Sequence, residues 1–420
     1  MDWLKPSANG LAAESVSLTE IAEQFGTPTF VYSKAAIVAA YREFAQAAAG
    51  RNVKILYAMK ANSNLAVINL LLREGAGFDI VSGGELRRVL AAGGSANSVV
   101  FSGVGKTRAE LKLALELGVA CFNVESLSEL RRLSAVASQM NKIAPISVRV
   151  NPDVDAGTHP YISTGLRQNK FGIGHHEALA VYREAAQLPG ISIAGIDCHL
   201  GSQITEIAPY LAALEKLLEL IDGLAAAGIA LRHLDLGGGL GIRYRDEVPP
   251  PREQLLHAIF NRIDRHALAA KMQLMFEFGR SIVGNGGLLL TRVEYLKSNG
   301  GKHFAIVDSA MNDLIRPAMY NAWHDVRPVQ TRAQVAVSYD IVGPVCESGD
   351  WLARDRALAI EEGDLLAIAS TGAYGMVMSS NYNSRGRAAE VIVDNDKVHL
   401  VRPRETVEEL YHSERLLPSP

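Results

Sequence analysis

The 420-residue sequence has few cysteines, little net charge and no long hydrophobic run. Three widely spaced cysteines with no CxxC pair argue for a reduced, cytoplasmic protein without disulfides or structural zinc. They are Cys121, Cys198 and Cys346. The formal net charge of -3 gives no reason to expect a nucleic acid or an anionic membrane as a partner. No stretch could span a bilayer, and the first residues lack the pattern of a secretory signal.

The overall composition is that of an ordinary globular protein. Apolar residues make up 48% of the chain and charged residues 21%. A chain of this length exceeds what a single core needs, so we expect two domains.

Eight apolar strand candidates alternate with helical segments in the first two thirds of the chain. The predicted strands are Val53–Ala58, Gly77–Val81, Ser98–Phe101, Ala120–Val124, Ile146–Val150, Ile193–Cys198, His233–Leu236 and Gln273–Phe276. The predicted helices are Leu65–Glu74, Gly84–Ala92, Thr107–Leu117, Ser126–Met140, Glu177–Leu188, Pro209–Ala227 and Arg252–Ala270. This alternation indicates an α/β fold, a (β/α)8 TIM-like barrel over residues 35–280.

A different pattern follows Gly287. Short β-rich runs replace the alternation and predict a mostly antiparallel β domain over residues 281–420. The runs are Leu288–Tyr295, His303–Asp308, Gln334–Val342, Asp364–Ser370, Ala389–Val393 and Val398–Val401. The early strand Thr29–Tyr32 precedes the first barrel strand, so we expect residues 1–34 to join the second domain.

The barrel interpretation predicts functional side chains directly after the strands, because active sites of such barrels lie at the carboxyl ends of the strands. Polar residues and glycines stand there throughout. They are Lys60, Asp79, Ser82, Ser102, Asn123, Glu125, Arg149, Asn151, His199, Ser202, Gly237–Gly239 and Glu277–Arg280.

Lys60 ends the first predicted strand. Burial at a strand end disfavours the ammonium form, so this amine could serve as a nucleophile. The alternative is a lysine that only extends from the strand end to solvent.

Three further segments offer chemistry. The glycine run Leu236–Gly241 could bind a phosphate or form a tight turn. Glu277 could bind a ring nitrogen and Arg280 could bind a carboxylate, or the two residues could form an ion pair with each other. His199 could stack on a planar cofactor, act as an acid or base, or be structural. No histidine and carboxylate spacing suggests a metal site.

The predicted β domain contributes loop residues of its own. Cys346 lies between turn-forming and acidic residues, which suits a proton donor or nucleophile, although a buried structural cysteine is the alternative. Arg316, Tyr320 and Tyr374 stand in loop-like settings. An amine, an anion-binding loop and a carboxylate for a ring nitrogen together match the requirements of a pyridoxal 5'-phosphate enzyme.

Six motifs resemble the diaminopimelate decarboxylase family, which is part of the alanine-racemase-like (fold-type III) pyridoxal phosphate enzymes. The similarity runs over nearly the whole chain and keeps the order of the motifs. They are Tyr57–Asn62, Gly77–Leu86, His199–Gln203, the glycine run, Cys346–Asp350 and Gly372–Gly375.

The resemblance implies the cofactor-binding residues. Lys60 would bind the cofactor covalently, His199 would stack on its ring, and Glu277 would bind the ring nitrogen. The phosphate and the rest of the cofactor would be bound by Ser202, Gly238, Gly239, Phe278, Gly279, Arg280 and Tyr374. The family usually has proline where Phe278 stands.

The resemblance also implies the substrate and the assembly. The enzyme would convert meso-2,6-diaminopimelate into L-lysine and CO2, with Cys346 as proton donor. The distal end of the substrate would be held by Arg280, Arg316, Tyr320, Glu347 and Tyr374. The loop with Cys346 would enter the partner subunit's site, so a homodimer with shared active sites is implied.

Other functions remain open at this point. A related decarboxylase could act on ornithine, arginine or carboxynorspermidine, but Glu347 and Arg280 favour a substrate with a distal carboxylate. A relative that only binds a partner would not need Lys60, Glu277 and Cys346. A racemase of the same fold is disfavoured by the Cys346 motif and Arg316.

Overall fold

The computed structural model of the chain describes residues 1–155, 164–165 and 168–419. The chain forms two compact units. The larger unit contains Val38–Arg243 and Glu247–Ile282, and the smaller one contains Met1–Ile37, Tyr244–Asp246 and Val283–Pro420. No described helix has the length and hydrophobicity that a membrane span requires.

The chain begins with short strands that precede the barrel. Ser17 caps the first helix, because its hydroxyl accepts the backbone N–H of Thr19. The elements are β1 (Leu4–Ser7), β2 (Gly10–Ala13), β3 (Val16–Ser17), α1 (Leu18–Phe25), β4 (Thr29–Ser33) and α2 (Lys34–Ala47). The first three strands form a small antiparallel sheet that the sequence did not predict.

The larger unit is a closed parallel barrel, as predicted. Its strands are β5 (Val53–Ala58), β6 (Gly77–Ile80), β7 (Val99–Phe101), β8 (Cys121–Val124), β9 (Ala144–Asn151), β11 (Ile191–Asp197), β12 (His233–Asp235) and β13 (Gln273–Phe278). Each strand pairs with the next, and β13 pairs with β5 to close the ring. A two-residue strand, β10 (Ile173–Gly174), extends the sheet beside β9.

Helices follow the barrel strands along the chain. They are α3 (Leu65–Arg73), α4 (Gly83–Ala91), α5 (Arg108–Leu117), α6 (Leu127–Gln139), α7 (His175–Ala185), α8 (Ala208–Ala226), α9 (Arg252–Ile263) and α10 (Arg280–Val283). Thr107 and Glu110 form a reciprocal capping box at the start of α5. The helix predicted to reach Ala270 was too long, because α9 ends at Ile263 and a 3-10 turn, Ala269–Lys271, follows.

The smaller unit is built on a mixed sheet. Its remaining elements are β14 (Gly287–Asn299), β15 (Lys302–Val307), α11 (Arg316–Tyr320), β16 (Val326–Pro328), β17 (Val337–Val342), β18 (Trp351–Leu358), β19 (Leu365–Ala369), β20 (Ala389–Asp394), β21 (Lys397–Arg402) and α12 (Val407–Tyr411). The order is β18-β17-β15-β14-β4-β20-β21, and β19 also pairs with β14. The strand near Phe30 joins this sheet as predicted, antiparallel to β14 and parallel to β20.

His233, the first residue of β12, is a buried histidine at the amino end of that barrel strand. His233 Nε2 lies 2.6 Å from Ser147 Oγ, and a Cβ at Gly195 would lie 2.2 Å from the imidazole. Burial lowers the pKa of His233 to about 4, and nearby Arg232 and Lys54 add to the effect. The neutral imidazole is therefore part of the folded state.

We expect this histidine to make stability fall in mild acid. The unfolded chain binds more protons than the folded one between the unfolded pKa of 6.5 and the folded pKa of about 4. The contribution of His233 to the free energy of unfolding is complete above the unfolded pKa of 6.5. It is lost as the pH falls toward the folded pKa of about 4. The free energy of unfolding should drop by about 2 kcal/mol between about pH 6.5 and pH 5 through this residue.

Thermal unfolding followed by circular dichroism at several pH values measures this slope. His233→Gln should have a flatter dependence of Tm on pH than the wild type, whatever its absolute Tm. His257→Gln replaces an exposed imidazole on α9 and should keep the wild-type slope. Equal slopes for all three proteins would contradict the assignment to His233.

Candidate active site

Lys60 stands in a 3-10 turn directly after β5. Its Nζ lies 2.7 Å from Oδ2 of Asp79, at the end of the neighbouring strand β6. The Asp79 side chain is fully buried, whereas the lysine side chain is 33% exposed. The sequence predicted a buried amine at a strand end. In the structure the lysine is partly exposed, and a buried anion holds and orients its amine.

Three buried carboxyl groups lie close together at the ends of adjacent strands. Oxygens of Asp197, Asp235 and Glu277 all lie within 4.8 Å of one another. They come from β11, β12 and β13, which are neighbours in the barrel. Met275 is two residues before Glu277 and therefore faces the same side of β13, so an apolar layer lies beneath the acids.

The three acids favour their protonated forms. Burial raises the pKa of Asp235 to about 7, and the nearby Asp79 carboxylate adds to the rise. Burial and neighbouring carboxylates also raise the pKa of Asp197 and of Glu277. Because like charges at this distance repel in a low-dielectric site, a cation beside Glu277 would be strongly favoured.

His199 follows β11 and has a fixed tautomer. Its Nδ1 accepts the backbone N–H of Gly238 at 3.1 Å, so the proton of the neutral ring is on Nε2. Burial lowers the pKa of His199 well below its ordinary value, and the charges of Lys60 and Arg149 act in the same direction. The imidazole is thus a flat, neutral group beside the glycine run.

The glycine run has no room for side chains. A Cβ at Gly238 would lie 1.9 Å from the carbonyl oxygen of Glu277. Gly239 has a left-handed φ of 94°, and a Cβ there would lie 2.4 Å from the carbonyl oxygen of Gly201. Tyr210 on α8 donates a hydrogen bond to the Gly238 carbonyl at 3.0 Å and fixes the run from behind.

Ser202 and Arg280 meet next to this run. The guanidinium donates to Ser202 Oγ from Nε at 3.2 Å and from Nη2 at 3.0 Å. Arg280 is buried and begins the short helix α10 after β13. A hydroxyl, a guanidinium and close-packed glycine backbone together are suited to hold an anion.

Phe278 contributes its side chain to packing. The ring stacks on Phe44 of α2, with centroids 3.9 Å apart, and also on Phe276. Phe278 is one residue after Glu277 in the strand and therefore points to the opposite side. Next to it, a Cβ at Gly279 would lie 3.0 Å from the Ala58 carbonyl oxygen.

In the smaller unit, the loop with Cys346 is braced by a buried aspartate. Asp350 accepts the N–H of Met311 through Oδ1 and the N–H of Val345 through Oδ2, each at 2.7 Å. Cys346 and Glu347 lie between Val345 and Asp350, and both are exposed. The alternative of a buried structural cysteine is therefore wrong for Cys346, whereas Cys121 and Cys198 are buried.

Arg316 is held in a polar and aromatic environment. Its Nη1 donates to His324 Nε2 at 2.8 Å, and the opposite ring nitrogen donates to the Ala369 carbonyl at 2.8 Å. The guanidinium carbon lies 4.7 Å from the centroid of the Tyr244 ring. Tyr320 is one turn further along α11 and half-buried.

Tyr374 has a strained backbone. Its φ is 56°, a left-handed value that a bulky side chain rarely adopts. The glycines beside it allow the bend, since a Cβ at Gly372 would lie 2.0 Å from the carbonyl oxygen of Val283. Strain of this kind persists where the surrounding structure enforces it, and it often accompanies functional sites.

The predicted residues thus form two groups, one in each unit. The barrel brings together Lys60, His199, Ser202, Gly238, Gly239, Glu277, Phe278, Gly279 and Arg280. The smaller unit contains Arg316, Tyr320, Cys346, Glu347 and Tyr374.

Sequence reasoning missed Asp197, Asp235 and Tyr210. The two aspartates were counted as members of apolar strands. A charged residue within such a strand was the available signal, because an isolated buried charge is costly. Tyr210 gave no comparable signal on its helix.

Comparison with known proteins agrees with this geometry. The family model described as "pyridoxal-dependent decarboxylase, pyridoxal binding domain" matches residues 34–284. The diaminopimelate decarboxylase of Pseudomonas aeruginosa is 62% identical over 97% of both chains. The crystal structure of the Helicobacter pylori diaminopimelate decarboxylase with L-lysine has a TM-score of 0.90 at 40% identity, covering 94% of this chain and 98% of that one. The M. jannaschii diaminopimelate decarboxylase with L-lysine has a TM-score of 0.93 at 36% identity, covering 99% and 98%.

The matches to the relative and to the solved structures extend over nearly the full length of the chain, as the sequence motifs did. The chain belongs to the diaminopimelate decarboxylase family of pyridoxal-dependent decarboxylases.

Proposed function

We propose that the chain catalyses the pyridoxal 5'-phosphate-dependent decarboxylation of meso-2,6-diaminopimelate to L-lysine and CO2. The observation that carries the proposal is the convergence of Lys60, Glu277 and the Ser202–Arg280 pair at the ends of the barrel strands. The name and the full-length similarity of the relatives support the substrate.

The residues of the barrel fit the cofactor. Lys60 offers an amine for its aldehyde, and Ser202, Arg280 and the glycine backbone offer donors for its phosphate. Buried oxygens of Asp197 and Asp235 lack hydrogen-bond partners among the described residues. This electronegative cluster beside Glu277 suits a protonated ring nitrogen. When bound, pyridoxal phosphate supplies an electron-accepting ring for the bonding pair released at the reacting carbon.

The barrel residues orient and polarise the cofactor. Asp79 holds the Lys60 amine in place, and His199 provides a flat neutral surface whose orientation is set by the Gly238 amide. Glu277 would bind the ring nitrogen and, by giving up its own proton there, would keep that nitrogen protonated. Phe278 contributes through its backbone, since its side chain packs on Phe44.

Residues of the smaller unit act on the substrate. The C–C bond to the carboxylate of the D-configured centre breaks and CO2 leaves. The Cys346 thiol gives its proton to the same carbon and regains one from solvent. The distal amino acid end would be held by Arg316, Tyr320, Glu347 and Tyr374 of this unit, and by Arg280, which belongs to the barrel.

We also propose a cytoplasmic homodimer with shared active sites. In the single chain Cys346 and Glu347 are exposed on an anchored loop, whereas a catalytic thiol needs a site that excludes water. Insertion of this loop into the site of a second copy would supply that environment.

A substrate comparison tests the proposal. With added pyridoxal phosphate, the purified protein should release CO2 from meso-2,6-diaminopimelate and form L-lysine. The value of kcat/KM should exceed that for L-ornithine by ~10³-fold or more, because a site built to bind a distal carboxylate rejects a substrate without one. Faster turnover of ornithine would instead favour the diamine-forming decarboxylases. Protein that stays colourless with the cofactor would favour a relative that only binds a partner.

A further inference from the structure

Two neighbouring residues outside the predicted site contact both functional residues of the Cys346 loop. The Tyr382 hydroxyl donates a hydrogen bond to Glu347 Oε1 at 2.6 Å. The backbone N–H of Cys346 donates to Oδ1 of Asn383 at 2.9 Å. All four residues belong to the smaller unit. We call Tyr382, Asn383 and Ser384 the clip.

The clip has a specific backbone conformation. Asn383 and Ser384 are consecutive residues with left-handed φ values of 57° and 54°. Asparagine tolerates this region better than most residues, and Ser384 carries the strain beside it. The bend directs the side-chain amide of Asn383 and the ring of Tyr382 toward the Cys346 loop.

The clip is anchored on its far side. Asn381 donates from Nδ2 to the Arg385 carbonyl at 3.0 Å and to Glu405 Oε2 at 2.8 Å. Arg387 donates to Asn381 Oδ1 at 2.7 Å and pairs with Glu405. The turn that carries Tyr382 and Asn383 is therefore tied to a network behind it and can act as a fixed point for the loop.

Glu347 gains a defined orientation from the clip. Its side chain is exposed, and an exposed glutamate otherwise samples several rotamers. The phenol fixes Oε1, while Oε2 receives no hydrogen bond or ion pair from the residues that the structure describes. The hydrogen bond to Glu347 raises the pKa of Tyr382, so the phenol stays protonated as the donor. The carboxylate thus presents one open oxygen, which suits an ammonium group.

Cys346 is fixed from two sides. Asp350 anchors the amide of Val345, and Asn383 anchors the amide of Cys346 itself. With two consecutive amides held, the position of the Cys346 backbone is defined, and with it the point from which the thiol is presented. A proton donor requires such placement, because a small displacement of a reacting group strongly lowers the rate.

We propose that Tyr382 and Asn383 are positioning residues of the reaction. Tyr382 orients Glu347 toward the distal ammonium of a diamino diacid substrate, and Asn383 orients Cys346 toward the reacting carbon. The inference rests on the proposed function, since both residues act through members of that site.

The role of Tyr382 is tested by Tyr382→Phe with two substrates. One is meso-2,6-diaminopimelate, and the other is D-2-aminopimelate, which keeps the reacting end and the distal carboxylate but lacks the distal amine. KM for diaminopimelate should rise about tenfold with kcat nearly unchanged, because a hydrogen bond to a charged group is lost. KM for the analogue should stay at its wild-type value.

The matched control is Tyr295→Phe, which removes the hydroxyl of another exposed tyrosine, on β14. It should leave both KM values unchanged. Equal KM values for Tyr382→Phe and the wild type, or an equal loss on both substrates, would overturn the role of Tyr382.

The role of Asn383 is tested by Asn383→Ala and Asn383→Gly. Both remove the acceptor, but glycine keeps the left-handed backbone without strain. In each, kcat should fall about tenfold while KM and the cofactor absorbance are kept, since the proton donor is displaced by a fraction of an ångström. The solvent deuterium isotope effect on kcat should increase, which loss of stability alone would not cause.

Asn395→Gly is the control, because Asn395 is a left-handed asparagine between β20 and β21. Its kcat should equal that of the wild type. A wild-type kcat in Asn383→Gly would show that only the backbone conformation matters and would overturn the role of the amide. If the wild type releases no CO2 from diaminopimelate, the proposed function fails and this inference fails with it. If the wild type is active and the variants match it, only the inference fails.

Discussion

Lys60→Ala should abolish both CO2 release and the visible absorbance that pyridoxal phosphate has when it is joined to a protein amine. The physical reason is that Lys60 is the amine held by Asp79 at the same end of the barrel as Glu277 and the anion-binding residues. Without it the aldehyde has no covalent partner there. Absorbance spectra and a CO2 assay measure the two effects.

Lys60→Arg tests the role of the amine separately from the role of the positive charge. Arginine keeps a cation opposite the buried Asp79 carboxylate but cannot form the covalent bond. We expect it to retain a Tm closer to the wild type than Lys60→Ala, since a buried anion keeps its partner. It should be equally inactive. Borohydride reduction of the wild type followed by peptide mapping should place the label on Lys60, and a label on another lysine would refute the assignment.

Cys346→Ala should keep the cofactor absorbance and lose most of the turnover. Loss of a positioned general acid typically lowers a rate by ~10²-fold or more. Cys346 belongs to the proposed active site, which small molecules must reach, whereas Cys121 and Cys198 are buried within the chain, so iodoacetamide should alkylate the native protein mainly at Cys346 and inactivate it. Steady-state kinetics and mass spectrometry of the alkylated peptides measure these effects.

Ser348→Ala is the matched control for this loop. Ser348 is an exposed neighbour two residues away, so its replacement disturbs the loop without removing the thiol. It should have nearly wild-type turnover. Near-normal turnover in Cys346→Ala would assign the proton donor to another residue.

The barrel could be predicted closely because its signals are local. The strand Val53–Ala58 has the same bounds in the sequence prediction and in the structure, since an apolar run ends at a polar turn. Thr107 and Ser126 marked the starts of α5 and α6 because capping depends on residues three apart. The predicted end of α9 at Ala270 was wrong, because the apolar spacing of the helix continues through the 3-10 turn that follows it.

The missed strands lack a period-2 signal. Strand β18 contains Arg354, Asp355 and Arg356 in its middle, so it does not alternate between apolar and polar residues. It lies at the edge of the sheet, where charged side chains are favoured because they prevent pairing with other chains. Strands β1 to β3 are two to four residues long, too short for a periodic pattern.

The candidate site was predictable where chemistry and position coincide within one segment. Lys60, His199 and Glu277 each directly follow or end a strand, which the barrel pattern picks out. The Asp79 partner of Lys60 and the carboxyl group of Asp235 beside Glu277 depend on which strands become neighbours. The clip at Tyr382 and Asn383 depends on a contact between two distant loops, and no local pattern reports such a contact.

Strand β4 lies between β14 and β20, and this placement determines the order in which parts of the chain can fold during synthesis. Residues 29–33 leave the ribosome first, yet one of their neighbours in the sheet ends at Asp394. All barrel strands emerge between these two events, so the barrel can fold while the nascent amino-terminal strand is still unpaired. A ribosome that stalls after the barrel strands have emerged but before residue 389 therefore exposes the edge of β4 that still lacks β20, a target for chaperones and proteases.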